Sequence, residues 1–226
     1  MYFVDSQTLM KMKLIALHAI AIAMFVVPGQ FKSGIHSTVN ITKQVDINTR
    51  KGHYVGEVFG GGVVFFVDKD ENGKEYGLIV SLQQLSSDAV WGPFKNVPDC
   101  ESGWNGAANT EAIMKNGGSA TDAAGICAGY SSGGFDDWYL PSIDELKDLG
   151  RNVEAVNKTL KKIKTGAQVI DTKYWHWSST EVTDDSRYDP ITTASYQTLD
   201  PKWIKPYGSM VGDKKEKRYV RAVRAF

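Results

Sequence analysis

The stretch Gly133–Leu146, GGFDDWYLPSIDEL, contains a turn, a short apolar strand and a helix start within fourteen residues. The pair Gly133-Gly134 permits backbone angles that other residues avoid, which is typical of a turn. The apolar run Trp138–Leu140 predicts a short strand. Pro141 ends this strand because proline has no backbone N–H for a sheet ladder. This density of local signals makes the stretch the part of the chain that decides the fold.

A helix is predicted directly after this strand. Ser142 and Glu145 fit a capping box, in which each side chain satisfies the unpaired backbone N–H of the other residue. Ile143, Leu146 and Leu149 recur at helical spacing, so one face of the helix is expected to be buried.

Other segments show clear patterns on both sides of this stretch. Asn109–Asn116 and Ala120–Ala128 predict two short helices, the first capped by Asn109 or Thr110. The continuously apolar run Val63–Val67 predicts a strand covered on both faces. The alternating residues Tyr219–Phe226 predict one half-buried strand.

Residues 1–29 have the pattern of an export signal. A short basic start, Met10–Lys13, precedes the apolar run Leu14–Val27. This run suits the core of a signal peptide and is short for a membrane-spanning helix, which needs roughly 20 residues. We expect cleavage near Gly29, with residues 1–9 as an upstream extension; a buried N-terminal helix is the alternative. The expected location is secreted, periplasmic or cell-surface, with no membrane span after cleavage.

Charge and composition narrow the functional classes. The chain has 26 Lys and Arg residues against 26 Asp and Glu residues, so its formal net charge is zero. Nucleic-acid-binding domains usually carry a basic excess, so no nucleic-acid partner is expected. The 22 glycines and the 11% aromatic content favour many turns and short strands over a helical bundle. We predict a spacer at residues 30–53 and one domain at residues 54–226.

Cys100 and Cys127 are the two cysteines of the chain. An even number in an exported protein favours a disulfide, so we predict one between them, with two separate buried thiols as the alternative. The sequence has no CxxC motif, no Cys/His cluster with zinc spacing and no histidine in a known catalytic motif. We therefore predict no catalytic residue, no cofactor and no metal site outside the acidic segment Asp68–Glu75.

The acidic segment Asp68–Glu75 matches only the first half of a calcium-binding loop. The twelfth position of the pattern holds Ile79 where the loop requires Glu. The pair Asn72-Gly73 favours a hairpin turn instead. An acidic hairpin tip is the simpler interpretation, and calcium binding stays open.

Three blocks occur in a specific order: Gly60–Asp68; then Asp137–Ser142 with Glu145 and Leu146; then Trp177–Glu181 with Val220–Arg224. Together they resemble the family named after the C-terminal domain of the Legionella collagen-like adhesin, over roughly residues 54–226. The layout is also similar to the wider C-type-lectin-like group. The resemblance implies an α+β fold of short antiparallel strands with two to four helices, in which the N- and C-terminal strands are paired.

The same blocks suggest mainly structural roles for their own residues. Trp138 and Trp177 are expected to fill the core, each with a partner for its indole N–H. Four charged residues near the blocks are expected to form ion pairs: Asp137, Glu145, Arg221 and Arg224. The basic turn Lys214–Arg218 either contacts sulfated glycans or is simply solvated.

The resemblance implies an exported, adhesin-like ligand-binding domain that is not an enzyme, with a glycan or host-surface ligand. Loops carry specificity while the scaffold holds them, so the ligand-binding candidates are aromatic residues in loops between the blocks. They are Trp104, Tyr188, Trp203 and Tyr207. The alternative is that these side chains hold the loops to the core.

Two other functions stay open. One is a structural role in an envelope or fimbrial assembly. The other is a relationship to formylglycine-generating enzymes, whose chemistry uses a reactive Cys pair or a metal; the spacing in this chain fits neither.

Overall fold

The computed structural model describes residues 52–182, 187–204 and 210–226. These ranges contain nine strands and five helices, so the fold is mixed α+β, with one helix more than the two to four expected. The predicted signal peptide, most of the spacer and Tyr207 lie outside the described residues. The strands are β1 (Val58–Phe59), β2 (Gly62–Lys69), β3 (Glu75–Ser81), β4 (Ser86–Ala89), β5 (Trp175–Glu181), β6 (Thr193–Thr198), β7 (Met210–Asp213), β8 (Arg218–Val220) and β9 (Val223–Ala225). The helices are α1 (Gly106–Lys115), α2 (Ala123–Ala128), α3 (Ile143–Arg151), α4 (Val153–Leu160) and α5 (Pro201–Ile204).

The strands form two sheets. The first has the order β1-β2-β3-β9 and is antiparallel throughout, with β2 and β3 joined by the hairpin that Asn72-Gly73 predicts. The second has the order β4-β8-β5-β6-β7 and is antiparallel except for the β5–β8 pair, in which His176 stands opposite Tyr219. Among the described residues, no helix is both long and apolar enough to span a bilayer.

Strand β2 is buried on both faces, as the sequence predicts. Val63 and Phe65 belong to a cluster that joins the first sheet to α3 and α4. Val64 belongs to a second cluster, which joins the same sheet to α1, α2 and the second sheet. Trp138 and Trp177 lie in this second cluster, which confirms that both are core residues.

Two glycine turns pack against each other at the edge of the first sheet. Gly61 and Gly133 both have positive φ angles, 84° and 62°. A Cβ atom on Gly61 would lie 2.4 Å from the carbonyl oxygen of Ser132, and one on Gly133 would lie 2.4 Å from the Cα of Gly61. Only glycine fits both positions, so the first sequence block meets the turn that precedes the second block through bare backbone.

The predicted capping box at α3 is confirmed. Ser142 Oγ accepts the N–H of Glu145 at 3.4 Å, and Glu145 Oε2 accepts the N–H of Ser142 at 2.7 Å. The predicted cap of α1 is wrong, because this helix begins earlier and Asn105 caps it through the N–H of Ala108. Asn109 is instead buried within the helix, where its side chain bonds to a neighbouring loop.

The C-terminal segment is not one strand. Its first part, β8, lies in the second sheet, and its last part, β9, lies in the first. The chain crosses between the sheets at Arg221 and Ala222, where the Arg221 guanidinium donates to the Ser81 carbonyl at 2.6 Å. The N–H of Ser81 in turn donates to the carbonyl of Ala222 at 2.9 Å.

The expected pairing of the first and last strands is also wrong, because β9 pairs with β3 and β1 lies at the opposite end of the sheet order. The two ends of the described domain nevertheless meet through aromatic rings. The ring of Phe226 has its centroid 4.8 Å from that of His53 and 5.3 Å from that of Phe59.

One of the expected ion pairs is present. The Arg224 guanidinium donates to both oxygens of Asp137, at 2.6 and 2.8 Å, and holds the pKa of that carboxyl below its ordinary value. Arg221 makes no carboxylate contact among the described residues; it donates to the carbonyls of Ser81 and Gln168. The carboxylate of Glu145 serves the α3 cap instead.

His176 is buried in its neutral form. Its Nδ1 lies 3.2 Å from the carbonyl oxygen of Tyr174, so Nδ1 is the ring nitrogen that carries the proton. Burial, together with the positive charge of Arg221, lowers the pKa of His176 from 6.5 to about 3.

We expect the free energy of unfolding to fall as the pH drops below 6.5. The unfolded chain then binds a proton at His176 that the folded chain does not accept until the pH approaches 3. The slope of about 1.4 kcal/mol per pH unit gives a loss of about 2 kcal/mol between pH 6.5 and pH 5, and no further change above that range. Urea unfolding of the wild type and of His176→Asn, repeated across this pH range, measures the loss. Asn does not titrate, and its amide keeps the bond to the Tyr174 carbonyl. A difference between the two proteins that is independent of pH would contradict this expectation.

Candidate ligand-binding cleft

An open cleft of about 530 Å³ lies between the loop that carries Trp104, helix α3, strand β3 and the end of β9. Its lining combines aromatic rings with carboxylates, and among the described residues that line it there is no Lys, Arg or His. The polar and aromatic residues that line it are Phe66, Tyr76, Trp104, Tyr139, Phe226, Asn105, Asp144, Glu145 and Asp148.

Trp104 stands at the edge of this cleft on a short, well-bonded loop. Ser102 Oγ accepts the N–H groups of Trp104 and Asn105, at 3.4 and 3.1 Å. The buried Asn109 amide donates to the carbonyl of Ser102 at 2.7 Å, which ties the loop to α1. The indole itself is 78% exposed. The loop therefore holds a large aromatic ring in solvent, where its face is available to a ligand.

Two carboxylates stand one turn apart on α3. Lys147 Nζ donates to Oδ1 of Asp144 at 2.8 Å, and the Arg151 guanidinium donates to Oδ1 of Asp148. Exposed pairs of this kind contribute little stability. None of the described residues donates a hydrogen bond to Oδ2 of either aspartate, so each carboxylate keeps an acceptor for a ligand.

The inner wall of the cleft is rigid. The Tyr139 hydroxyl donates to Glu145 Oε1 at 3.0 Å, and both side chains are buried. Burial raises the pKa of both groups above their ordinary values. Because Glu145 also caps α3, these side chains form a fixed wall beside Asp144, which is exposed, and Asp148, which is partly exposed.

The structure describes three of the four predicted ligand residues, and only one of them lines the cleft. Trp104 lines the cleft, whereas Tyr188 and Trp203 are 41% and 61% exposed and do not line it. Tyr188 lies under the Arg187 guanidinium, 5.7 Å from its ring centroid, and Trp203 lies on α5. Tyr207 is outside the described residues. Of the three described residues, only Trp104 lines the cleft.

Sequence reasoning missed most of the cleft. The aspartates at positions 144 and 148 are four residues apart on a predicted helix, and this spacing was the available signal. Tyr76 and Phe226 carry no comparable signal. They come together only because β3 and β9, far apart in sequence, pair in the first sheet.

The predicted disulfide is not present in the structure, in which both cysteines are free and buried. Cys100 Sγ donates to the carbonyl of Val97 at 3.1 Å, and Cys127 lies in α2 among the small residues Ala123 and Ala124. Both cysteines belong to the hydrophobic cluster that also contains Trp138 and Trp177, with no bond between them. Burial raises the pKa of both thiols, so both are protonated and poor nucleophiles.

The basic turn Lys214–Arg218 is not a freely exposed cationic patch. Lys214 is buried and donates to Glu181. The Arg218 guanidinium lies over the ring of Tyr196, 3.5 Å from its centroid. Two of the four cations are therefore already engaged within the fold, which removes much of the support for a sulfated-glycan site there.

The acidic hairpin satisfies its carboxylates locally. Asp70 Oδ1 accepts the N–H groups of Asn72 and Lys74, both at 2.9 Å, and Asp68 Oδ2 accepts the hydroxyl of Tyr76. In the part of the chain that the structure describes, no group of three or more His, Cys, Asp and Glu residues is arranged to hold a metal ion. These contacts agree with an acidic hairpin tip.

Comparison with known proteins identifies no family or relative for this chain. The chain matches none of the known protein families against which it was compared, and a search of curated proteins gave no match either.

Proposed function

We propose that this is an exported or cell-surface ligand-binding domain that binds a glycan in the cleft beside Trp104. The observation that carries the proposal is the exposed indole of Trp104 on a loop fixed by Ser102 and Asn109. A sugar ring has an apolar C–H face and a rim of hydroxyl groups. It therefore fits an exposed aromatic face that is bordered by hydrogen-bonding groups.

The cleft provides both kinds of contact. Tyr76 offers a second exposed aromatic side chain. Asn105 uses its Oδ1 to cap α1, which leaves its amide nitrogen to donate to a hydroxyl group. Asp144 and Asp148 each have an acceptor oxygen. Ligand sites combine a largely apolar lining with a few placed polar groups in this way.

The resemblance to the adhesin-derived family agrees with a binding role. An enzymatic role related to the formylglycine-generating group receives no support from the cysteines, because both thiols are buried and held protonated. A structural role in an envelope or fimbrial assembly is the competing proposal, and a binding experiment separates the two.

We expect Trp104→Ala to weaken glycan binding about 30-fold, equivalent to 2 kcal/mol, because an exposed Trp acts as a stacking anchor. The purified full chain is screened on an array of neutral, amino and acidic glycans, and its best ligand is titrated by calorimetry. The stability of the variant should stay within about 0.5 kcal/mol of the wild type, as for other surface substitutions.

Trp203→Ala is the matched control, since this indole is also exposed but does not line the cleft. It should bind like the wild type. The proposal fails if no glycan on the array binds, or if Trp104→Ala binds as tightly as Trp203→Ala. The first result would favour the structural role.

A further inference from the structure

We infer that the cleft prefers glycans with protonated amino groups, of the glucosamine type, over neutral or sulfated glycans. This inference rests on the proposed glycan-binding function. It concerns the charge of the ligand, which the exposed indole alone does not specify.

The first observation behind this preference is the charge of the residues that line the cleft. Asp144, Glu145 and Asp148 line the cleft, and no basic side chain lines it among the described residues. Lys147 and Arg151 compensate part of the charge, but each reaches Oδ1 of its partner from elsewhere on α3. The surface that meets a ligand is therefore acidic. A sulfate group would be repelled there, whereas an ammonium group would be attracted.

The second observation is that the carboxylate of Asp144 lies beside the Trp104 loop. Its backbone N–H donates to the carbonyl of Gly103 at 2.9 Å, which joins the start of α3 to the Trp104 loop. A Cβ atom placed on Gly103 would lie 3.1 Å from Asp144 Oδ2. The oxygen that lacks a partner thus lies against the residue that precedes Trp104. An amino group on a sugar stacked at Trp104 would lie near both the indole and this carboxylate.

The third observation is that aromatic side chains, which attract cations, line the cleft beside the carboxylates. A cation gains energy over the face of Trp or Tyr, and the gain increases when the cation is partly removed from water. Trp104 and Tyr76 are exposed aromatic residues of the cleft, and the carboxylates provide the opposite charge. Aromatic faces combined with carboxylates favour an ammonium group over a hydroxyl or an N-acetyl group. The neutral groups gain from the stacking but not from the charge.

The experiment compares two sugars that differ only in this group. The full chain is titrated with the tetramer of glucosamine and with the tetramer of N-acetylglucosamine, at mildly acidic pH so that the amines are protonated. We expect the amino tetramer to bind about tenfold more tightly. Added salt should reduce this ratio, because the two aspartates are partly exposed. A sulfated oligosaccharide should bind more weakly than either tetramer.

The variant Asp144→Asn/Asp148→Asn tests the origin of the preference, and its affinity ratio should fall towards one. Glu154→Gln is the matched control, because Glu154 is an exposed carboxylate on α4 that does not line the cleft; it should keep the wild-type ratio. Thermal unfolding of each variant confirms that it is folded.

The outcomes separate this inference from the function on which it rests. Equal affinity for the two tetramers, or a ratio that survives both Asn substitutions, overturns the amine preference and leaves glycan binding in place. Binding only of neutral or sulfated glycans on the array has the same consequence. Absence of any glycan binding overturns both.

Discussion

Replacing Lys214 with methionine is expected to destabilise the domain by about 3–5 kcal/mol, because it leaves a buried carboxylate without its partner. Lys214 and Glu181 are both buried, and the ammonium of Lys214 donates to Glu181 and to the carbonyls of Lys95 and Pro190. It also lies 4.4 Å from the ring centroid of Trp91. Burial raises the pKa of Glu181 and lowers that of Lys214, so each group depends on the other to stay ionised.

Equilibrium unfolding in urea measures this loss. The double variant Lys214→Met/Glu181→Gln should lose less than the single variant, because the buried charge is then removed as well. Lys217→Met is the control: Lys217 is exposed and lies 3.7 Å from Asp88, so its loss should cost no more than about 0.5 kcal/mol. A loss at Lys214 below about 1 kcal/mol, the range of exposed pairs, would show that the pair is solvated.

Trp138→Ala is expected to cost about 3–5 kcal/mol, the range for removing a buried Trp side chain. Trp138 is buried in the core, its Nε1 donates to the carbonyl of Phe135 at 3.2 Å, and its ring meets that of Tyr130 edge-on at 5.3 Å. Alanine at this position removes the contacts of the ring and leaves a cavity beside Tyr130.

Trp104→Ala is the matched comparison, since it removes the same side chain from a position that is mostly solvent-exposed. The two substitutions should have opposite consequences. Trp138→Ala should lower the urea midpoint, whereas Trp104→Ala should leave it almost unchanged and reduce binding. An unchanged midpoint for Trp138→Ala would mean that the core closes over the cavity without cost, against the contacts seen here.

Features encoded by neighbouring residues were predictable from the chain. The capping box of Ser142 and Glu145 and the hairpin at Asn72-Gly73 depend on residues a few positions apart, and the structure confirms both. The double-sided burial of β2 was predictable because continuous apolarity leaves no polar face for water. In each case the signal and the structure occupy the same short segment.

Features that depend on distant partners were mispredicted or missed. The prediction of one half-buried strand at Tyr219–Phe226 is wrong: Val220–Arg224 are all buried, and the segment divides between two sheets. The even number of cysteines favoured a disulfide, yet both thiols are free and buried in the structure. The charges of Lys214–Arg218 indicated a basic surface, whereas Glu181, from a distant strand, holds Lys214 inside the fold.

The candidate site shows the same division. The chain by itself identified Trp104 as an aromatic residue in a loop, because glycine and polar neighbours are local signals. It also determined the helix on which Asp144 and Asp148 stand one turn apart. Only the tertiary structure decided that these aspartates share a cleft with Trp104, and that Tyr188 and Trp203 do not. The physical reason is that caps and turns depend on neighbouring residues, whereas the cleft depends on β3 pairing with β9 across the length of the domain.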